Sequence, residues 1–266
     1  MPQLQTGRYR VRMAADAADL RAARRLRFRC FRPGDPGAVA GAEDADALDD
    51  LCRHTLVEDR ESGRLAGCFR TLELASGAQV GRSYSARHYD LSRLRDFPEP
   101  MIEVGRFCVD PAQSHPEILR LAWAALARQV DRIGAGLLFG CSSFAGLKVE
   151  CHAPAFALLR DRHPAPARWR PGIGSAEVCR FDTLPAGDDP ARAMAGMPPL
   201  LRSYLAMGGW VSDHAVLDRD LGTMHVFTGV EVRLIPPSRA RALRLLAGQL
   251  ERPDQGLCVP GPSRDI

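Results

Sequence analysis

Lysine is almost missing from these 266 residues: Lys148 stands alone among 36 basic side chains, the rest being arginine. Arginine carries its charge at any physiological pH and matches carboxylates with a planar fork, so ion pairing here is an arginine affair. Aromatic residues make up only 6% of the chain, and no basic–aromatic alternation occurs, which argues against nucleic acid as a partner. No apolar run approaches the roughly 20 residues that cross a bilayer. The first residues, Met1 to Arg8, lack the apolar centre of a secretory signal, and a cytoplasmic setting is expected. The eight cysteines include no C-x-x-C pair, and most sit among apolar neighbours, as in Gly67-Cys68-Phe69 and Phe107-Cys108-Val109. Reduced, buried thiols are expected, and no metal, since Cys52-Arg53-His54 and Cys151-His152 match no familiar ligand spacing. Walker and Rossmann glycine patterns are absent, and Ser142-Ser143 lacks the G-x-S-x-G elbow of a serine nucleophile.

What is present is an ordinary globular composition, 45% hydrophobic and 26% charged, with a net charge of +4 that suits an acidic partner. Tyr9 to Met13 reads as a strand. Asp16 then caps a helix from Ala17, with Leu20, Ala23, Leu26 and Cys30 at helical spacing. After a loop rich in Ala, Gly and Asp, Thr55–Glu58 and Leu65–Leu72 form a hairpin, and Met101–Val109 a further strand. Ser114-x-x-Glu117 with Pro116 predicts a capping box opening a helix, and Leu137–Cys141 a buried strand. Strands and helices interleave, so the class is α/β with a mixed sheet flanked by helices. A core over 1–190, a C-terminal extension over 191–251 and a loose tail over 252–266 are expected. The extension holds a short helix at 200–207 and strands near Val226 and Val232.

The strongest chemical signal is Ile102-Glu103-Val104-Gly105-Arg106-Phe107-Cys108-Val109. Alternation puts Glu103 and Arg106 on opposite faces of a regular strand. The bland reading is an edge strand with solvated charges. The sharper one makes Gly105 a bulge that brings both charges to one cleft and frees a backbone N–H, at Gly105 or Cys108, for a thioester carbonyl. Arg27, Arg70 and the acidic cluster Asp46, Asp49 and Asp50 are candidates to converge there.

These segments also occur in a recognisable order. Leu26-Arg27-Phe28-Arg29-Cys30-Phe31, Asp50-Leu51-Cys52-Arg53-His54, Gly67-Cys68-Phe69-Arg70 and Tyr84-Ser85-Ala86 lead into Glu103–Val109. Phe139-Gly140-Cys141-Ser142-Ser143-Phe144, Pro198–Leu205 and Gly209-Trp210-Val211 follow. The set, spanning about residues 9 to 235, resembles the L-ornithine Nα-acyltransferases, which make lyso-ornithine lipid. The resemblance implies a GNAT-like fold related to the acyl-homoserine lactone synthases. It also implies transfer of a 3-hydroxyacyl group from acyl carrier protein to the α-amine of ornithine. No cofactor is implied, because the phosphopantetheine arm arrives on the carrier, and product release implies transient contact with a membrane surface. Glu103 and Arg106 become the expected catalytic pair, and Arg27, Asp49, Asp50, Arg70, Ser142 and Phe144 the expected substrate-binding set. Two departures stand out: Arg53 occupies a position where many relatives carry Asp, and Ser114 one where many carry Arg. The first leaves glutamine or another amino acid open as acceptor, alongside a lactone-forming synthase as the alternative activity.

Overall fold

In the computed structural model, which describes residues 4–35, 39, 41–113, 115–185, 187 and 189–249, chain order converts into one large sheet. Strands β1 (Leu4–Thr6) and β2 (Tyr9–Met13) precede helix α1 (Ala17–Phe31), whose first amides, Ala18 and Asp19, donate to the Asp16 carboxylate. Strands β3 (Arg53–Asp59) and β4 (Leu65–Leu74) form the expected hairpin, each longer than its apolar run. Short β5 (Tyr89–Asp90) and then β6 (Met101–Val109) follow. Helix α2 (Pro116–Ile133) starts on proline and ends on Gly134, whose φ of 63° suits a residue without Cβ. Its cap is His115, which accepts from the Glu117 amide; the expected cap, Ser114, lies outside the described residues.

The chain continues through β7 (Leu137–Ala145), α3 (Val149–Arg162), β8 (Gly172–Ile173) and β9 (Val178–Arg180). It finishes with α4 (Pro190–Ala195), α5 (Pro199–Ala206), β10 (Trp210–Asp218), β11 (Thr223–Glu231) and α6 (Pro237–Gln249). The sheet runs β1-β2-β3-β4-β6-β7-β11-β10-β9. The strands of the expected extension over 191–251 lie in this same sheet: β11 pairs with β7 along its whole length, and β10 pairs with β9 from before residue 191. Val232, expected in a strand, falls in a 3₁₀ turn after β11. The tail at 252–266 lies outside the described residues.

Helix α2 packs on one sheet face against Val57, Phe69, Ile102, Val104, Leu138 and Val230, with Tyr204 of α5 alongside. Helix α3 covers the neighbouring part of that face, at Phe144, Met224 and Val226. The opposite face is covered by α1 over Leu56, Cys68 and Cys108, and by the segment around Val80, Leu91, Leu94 and Phe97 over Met101, Phe139 and Phe227. The candidate site lies on this second face. Among the described residues, no helix is long and apolar enough to cross a membrane.

Candidate active site

Period-2 alternation sends Ile102 and Val104 under α2 and turns Met101 and Glu103 to the opposite face. Continued, it would bury Arg106 under α2. Instead β6 holds one extra residue: Arg70 faces Gly105, but Cys68 faces Cys108, so three steps on β6 match two on β4. The bulge residue is Arg106 rather than the glycine before it. Arg106 has φ +52°, among the described residues the only non-glycine at positive φ. Past the bulge the faces are reset. Phe107 stacks on Phe69 in the α2 core at 5.5 Å, while Cys108 lies 3.6 Å from Cys68 under α1. The guanidinium of Arg106 consequently shares a face with Glu103, and both meet one segment: Arg106 lies 5.0 Å from the Tyr84 ring centre, and Glu103 accepts from the Tyr84 amide at 2.8 Å.

Glu103 is buried, and all its contacts are donors. Ser85 gives it both its amide (2.7 Å) and its hydroxyl (2.6 Å). Burial pushes its carboxyl pKa up, against those hydrogen bonds and the Arg70 charge, which favour the anion. Tyr84 and Ser85 were visible in sequence only as part of a motif, with no role attached; a Ser amide and hydroxyl reaching one carboxylate leaves no sequence signature.

Beyond Glu103 the sheet opens. Strands β6 and β7 run parallel and pair only over Met101–Glu103 and Leu137–Phe139, though each continues for six more residues. Backbone groups of β6 that face β7 beyond this point are released from the ladder, leaving a wedge beside the bulge. At its apex a Cβ on Gly140 would lie 2.3 Å from the Val104 carbonyl oxygen, so the close approach there requires glycine. Ser142 and Phe144 do not reach this face. Even-numbered residues of β7 turn toward the helices, where the Ser142 hydroxyl accepts from Thr228 at 2.9 Å and Phe144 meets Phe156 at 5.0 Å. Alternation explains why the expected substrate contacts of these two side chains are not made on the Glu103 side.

The remaining charges form a network. Arg70 grips Asp46 with two nitrogens (2.6 and 2.8 Å) and Asp49 with one (2.5 Å). Arg27, 1% exposed, holds Asp49 (2.6 Å) and Asp44 (2.8 Å), and Arg24 adds a third arginine to Asp49 (2.9 Å). Arg106 closes the ring through Asp44 at 3.0 Å. An Asp49 N–H to Asp46 carbonyl bond makes a 3₁₀-type turn, in which residues three apart eclipse. Asp46 and Asp49 therefore point together, and Asp50 turns outward, exposed and without an ion pair among the described residues. Of the two expected aspartates, Asp49 joins this network and Asp50 does not, and Arg27 is buried within it, bracing the loop. Asp44 carried no signal in its Ala/Gly/Asp-rich surroundings. Arg53 points away from the loop, its nearest acid being Glu73 at 3.6 Å.

Burial alone would push the carboxyls of Asp46 and Asp49 up, but the hydrogen bond and charge of Arg70 at Asp46, and those of Arg27 and Arg70 at Asp49, outweigh it and hold both below the usual range. Depressed folded-state values mean that this network contributes stability above the unfolded value of about 4 and loses it as pH falls. Urea unfolding should therefore show a midpoint that drops once pH goes below about 4; a midpoint that rises there would contradict the network's role.

Among the described residues no group of three His, Cys, Asp or Glu side chains is gathered for a metal, and every described cysteine is free. The geometry offers a buried carboxylate, a guanidinium on the same face, and a wedge of released backbone amides. Comparison with known proteins adds the family. The description "Acetyltransferase (GNAT) domain" matches residues 26–124. The L-ornithine N(alpha)-acyltransferase of Rhodobacter capsulatus is 32% identical over 82% of this chain and 88% of its own length. That of Brucella abortus is 30% identical over 83% of each. Among solved structures, an N-acyl amino acid synthase from uncultured soil microbes matches with a TM-score of 0.44 at 15% identity, covering 92% of this chain and 99% of that one.

Proposed function

Because the chain belongs to the L-ornithine N(alpha)-acyltransferase family and is an acyltransferase, we propose that it moves a 3-hydroxyacyl group from acyl carrier protein to the α-amine of L-ornithine. The observation that carries the mechanism is the bulge at Arg106, which sets Glu103, Arg106 and the wedge between β6 and β7 around one space.

The thioester carbonyl lies in the wedge, where released amides of β6 near Gly105 donate to the oxygen as it gains charge. The α-amine attacks as a neutral nucleophile. Its proton goes to Glu103, and the route that keeps the Glu103 contacts runs through Ser85, whose hydroxyl passes a proton across 2.6 Å as it takes one from the amine. The carbon–nitrogen bond forms, the tetrahedral intermediate collapses, the carbon–sulfur bond breaks, and the proton held at Glu103 returns to the departing thiolate. Arg106 faces the acceptor carboxylate; its spare donors suit that geometry. No resident cofactor takes part, since the phosphopantetheine thiol belongs to the carrier. The reaction is placed in the cytoplasm, where carrier and amino acid meet, and the amphiphilic product leaves toward a membrane surface.

Mass spectrometry of lipids from cells expressing the protein tests this. N-(3-hydroxyacyl)ornithine should accumulate; acylglutamine or acyl-homoserine lactone in its place would overturn the assignment.

A further inference from the structure

Ornithine brings a cationic side chain, and of the acids first expected to meet it Asp46 and Asp49 are occupied while Asp50 turns outward. Asp44, Asp46 and Asp49 are each bound by two or more arginines. A different carboxylate faces the same space. On β11, Thr223, His225 and Phe227 alternate onto the Glu103 face, Phe227 stacking on Phe139 at 5.6 Å. On β10, Val216 lies in the same core and Asp218 follows two residues later. Asp218 pairs with Thr223 across the strands, and Val216 with His225. Cross-strand partners on one face bring their Cβ atoms to about 5 Å, and the next pair along lies about 7 Å away. Asp218, Thr223 and His225 therefore form one triangle of side chains.

All three have unused capacity. Asp218 accepts from the Leu221 amide at 3.0 Å through one oxygen, and no cation lies within ion-pair distance of it among the described residues. The Thr223 Oγ1 and the His225 Nε2 are buried without a hydrogen-bond partner. Which nitrogen of His225 holds the proton follows from Tyr89. Its hydroxyl has one hydrogen, which goes to the His225 carbonyl oxygen at 2.8 Å. The 3.1 Å contact to Nδ1 must then be donated by Nδ1–H, so Nε2 carries a bare lone pair. Burial, followed by the neighbouring His88 and His214, lowers the His225 pKa to about 3 and keeps the ring neutral.

The triangle connects to the site through aromatic contacts: Arg106 to Tyr84 at 5.0 Å, Tyr84 to His88 at 4.9 Å, His88 to His225 at 4.9 Å. Burial is the main influence on Tyr84, His88 and Cys141, pushing the pKa of Tyr84 and Cys141 up and that of His88 down, and the Asp218 charge adds a smaller upward push at all three. An ammonium carries three hydrogens and no acceptor. Here are three acceptors, one of them anionic, two of them buried and otherwise unmatched.

We infer that Asp218, with Thr223 and His225, seats the cationic side chain of the amino-acid acceptor and thereby selects it over neutral amino acids. The inference rests on the proposed ornithine activity. It assigns selectivity to the β10–β11 end of the sheet rather than to the loop at 44–50.

The bland alternative is that Asp218 only caps the hairpin through Leu221. Asp218→Asn separates the two, because the amide oxygen still accepts from Leu221 while the charge is gone. Steady-state kinetics would use 3-hydroxyacyl carrier protein with L-ornithine, and with L-norleucine, in which a methyl replaces the ammonium. Asp218→Asn should raise KM for ornithine about 10- to 100-fold, with kcat changed little and the weak use of norleucine unchanged or improved. If ornithine KM stays within about twofold of wild type, or both acceptors lose equally, Asp218 is not the seat. A wild-type enzyme that prefers norleucine or glutamine to ornithine would overturn the ornithine reading itself, and this inference with it.

Discussion

Replacing Glu103 with glutamine should lower kcat by about 10²-fold or more, because the proton of the attacking amine loses its acceptor. The substitution is close to isosteric but not silent. One carboxylate oxygen takes the Ser85 amide and hydroxyl, the other the Tyr84 amide. An NH₂ in either place faces a donor, and one buried N–H goes unpaired at a cost of about 1–3 kcal/mol. A loss of a few degrees in Tm is therefore expected alongside the kinetic loss. The two effects separate in the pH profile. Glu103 must be ionised to accept a proton, and burial sets its pKa above the usual glutamate value. Wild-type activity should fall on the acid side as Glu103 protonates, and Glu103→Gln should lack that limb. A variant that turns over at the wild-type rate, or one that keeps the same acid limb, removes Glu103 from proton transfer.

The largest stability effect is expected at Asp49. Its carboxylate receives Arg24, Arg27 and Arg70, and the last two are almost wholly buried. A buried ion pair can be worth little relative to an apolar replacement, but removing one partner strands the other charge in a poor solvent. Asp49→Ala should cost on the order of 3–5 kcal/mol in urea unfolding. Asp49→Asn, which keeps an acceptor oxygen but not the charge, should fall between it and wild type. A loss below about 1 kcal/mol for Asp49→Ala would mean the arginines find other partners or water. The ring also ties the loop to the bulge through Asp44 and Arg106, so Asp49→Ala should blunt activity even where the protein remains folded.

The elements that sequence predicts well are those governed by neighbours in the chain. The bounds of β6 follow from its flanking prolines, and the start of α1 from Asp16. The glycine at 105 signals a break in the ladder, yet the residue that takes positive φ is Arg106. The reason is long-range: Phe107 must reach Phe69 and Cys108 must reach Cys68, and only an extra residue between Gly105 and Phe107 satisfies both. The choice of Asp49 over Asp50 depends on a local 3₁₀-type turn that an Ala/Gly/Asp-rich loop does not announce. Ser142 and Phe144 belong to a recognisable run but lie on the helix side, because the parity of β7 is set by its pairing with β11. Helix α3 escapes a periodicity search: Pro154 interrupts it, and its apolar residues cluster at its C-terminal half. The single sheet crossing residue 191 is likewise invisible to composition, which registers the polar connection before Met197 and not the ladder behind it.

Acyl transfer from a carrier thioester to the amine of ornithine is the reaction proposed for this protein. Its most direct test uses purified protein, 3-hydroxyacyl carrier protein and L-ornithine, with product mass and free carrier thiol followed together. One N-(3-hydroxyacyl)ornithine should appear for each carrier thiol released, with glutamine a poor substitute for ornithine. Thiol release without an ornithine adduct, or equal acylation of glutamine, would contradict the claim.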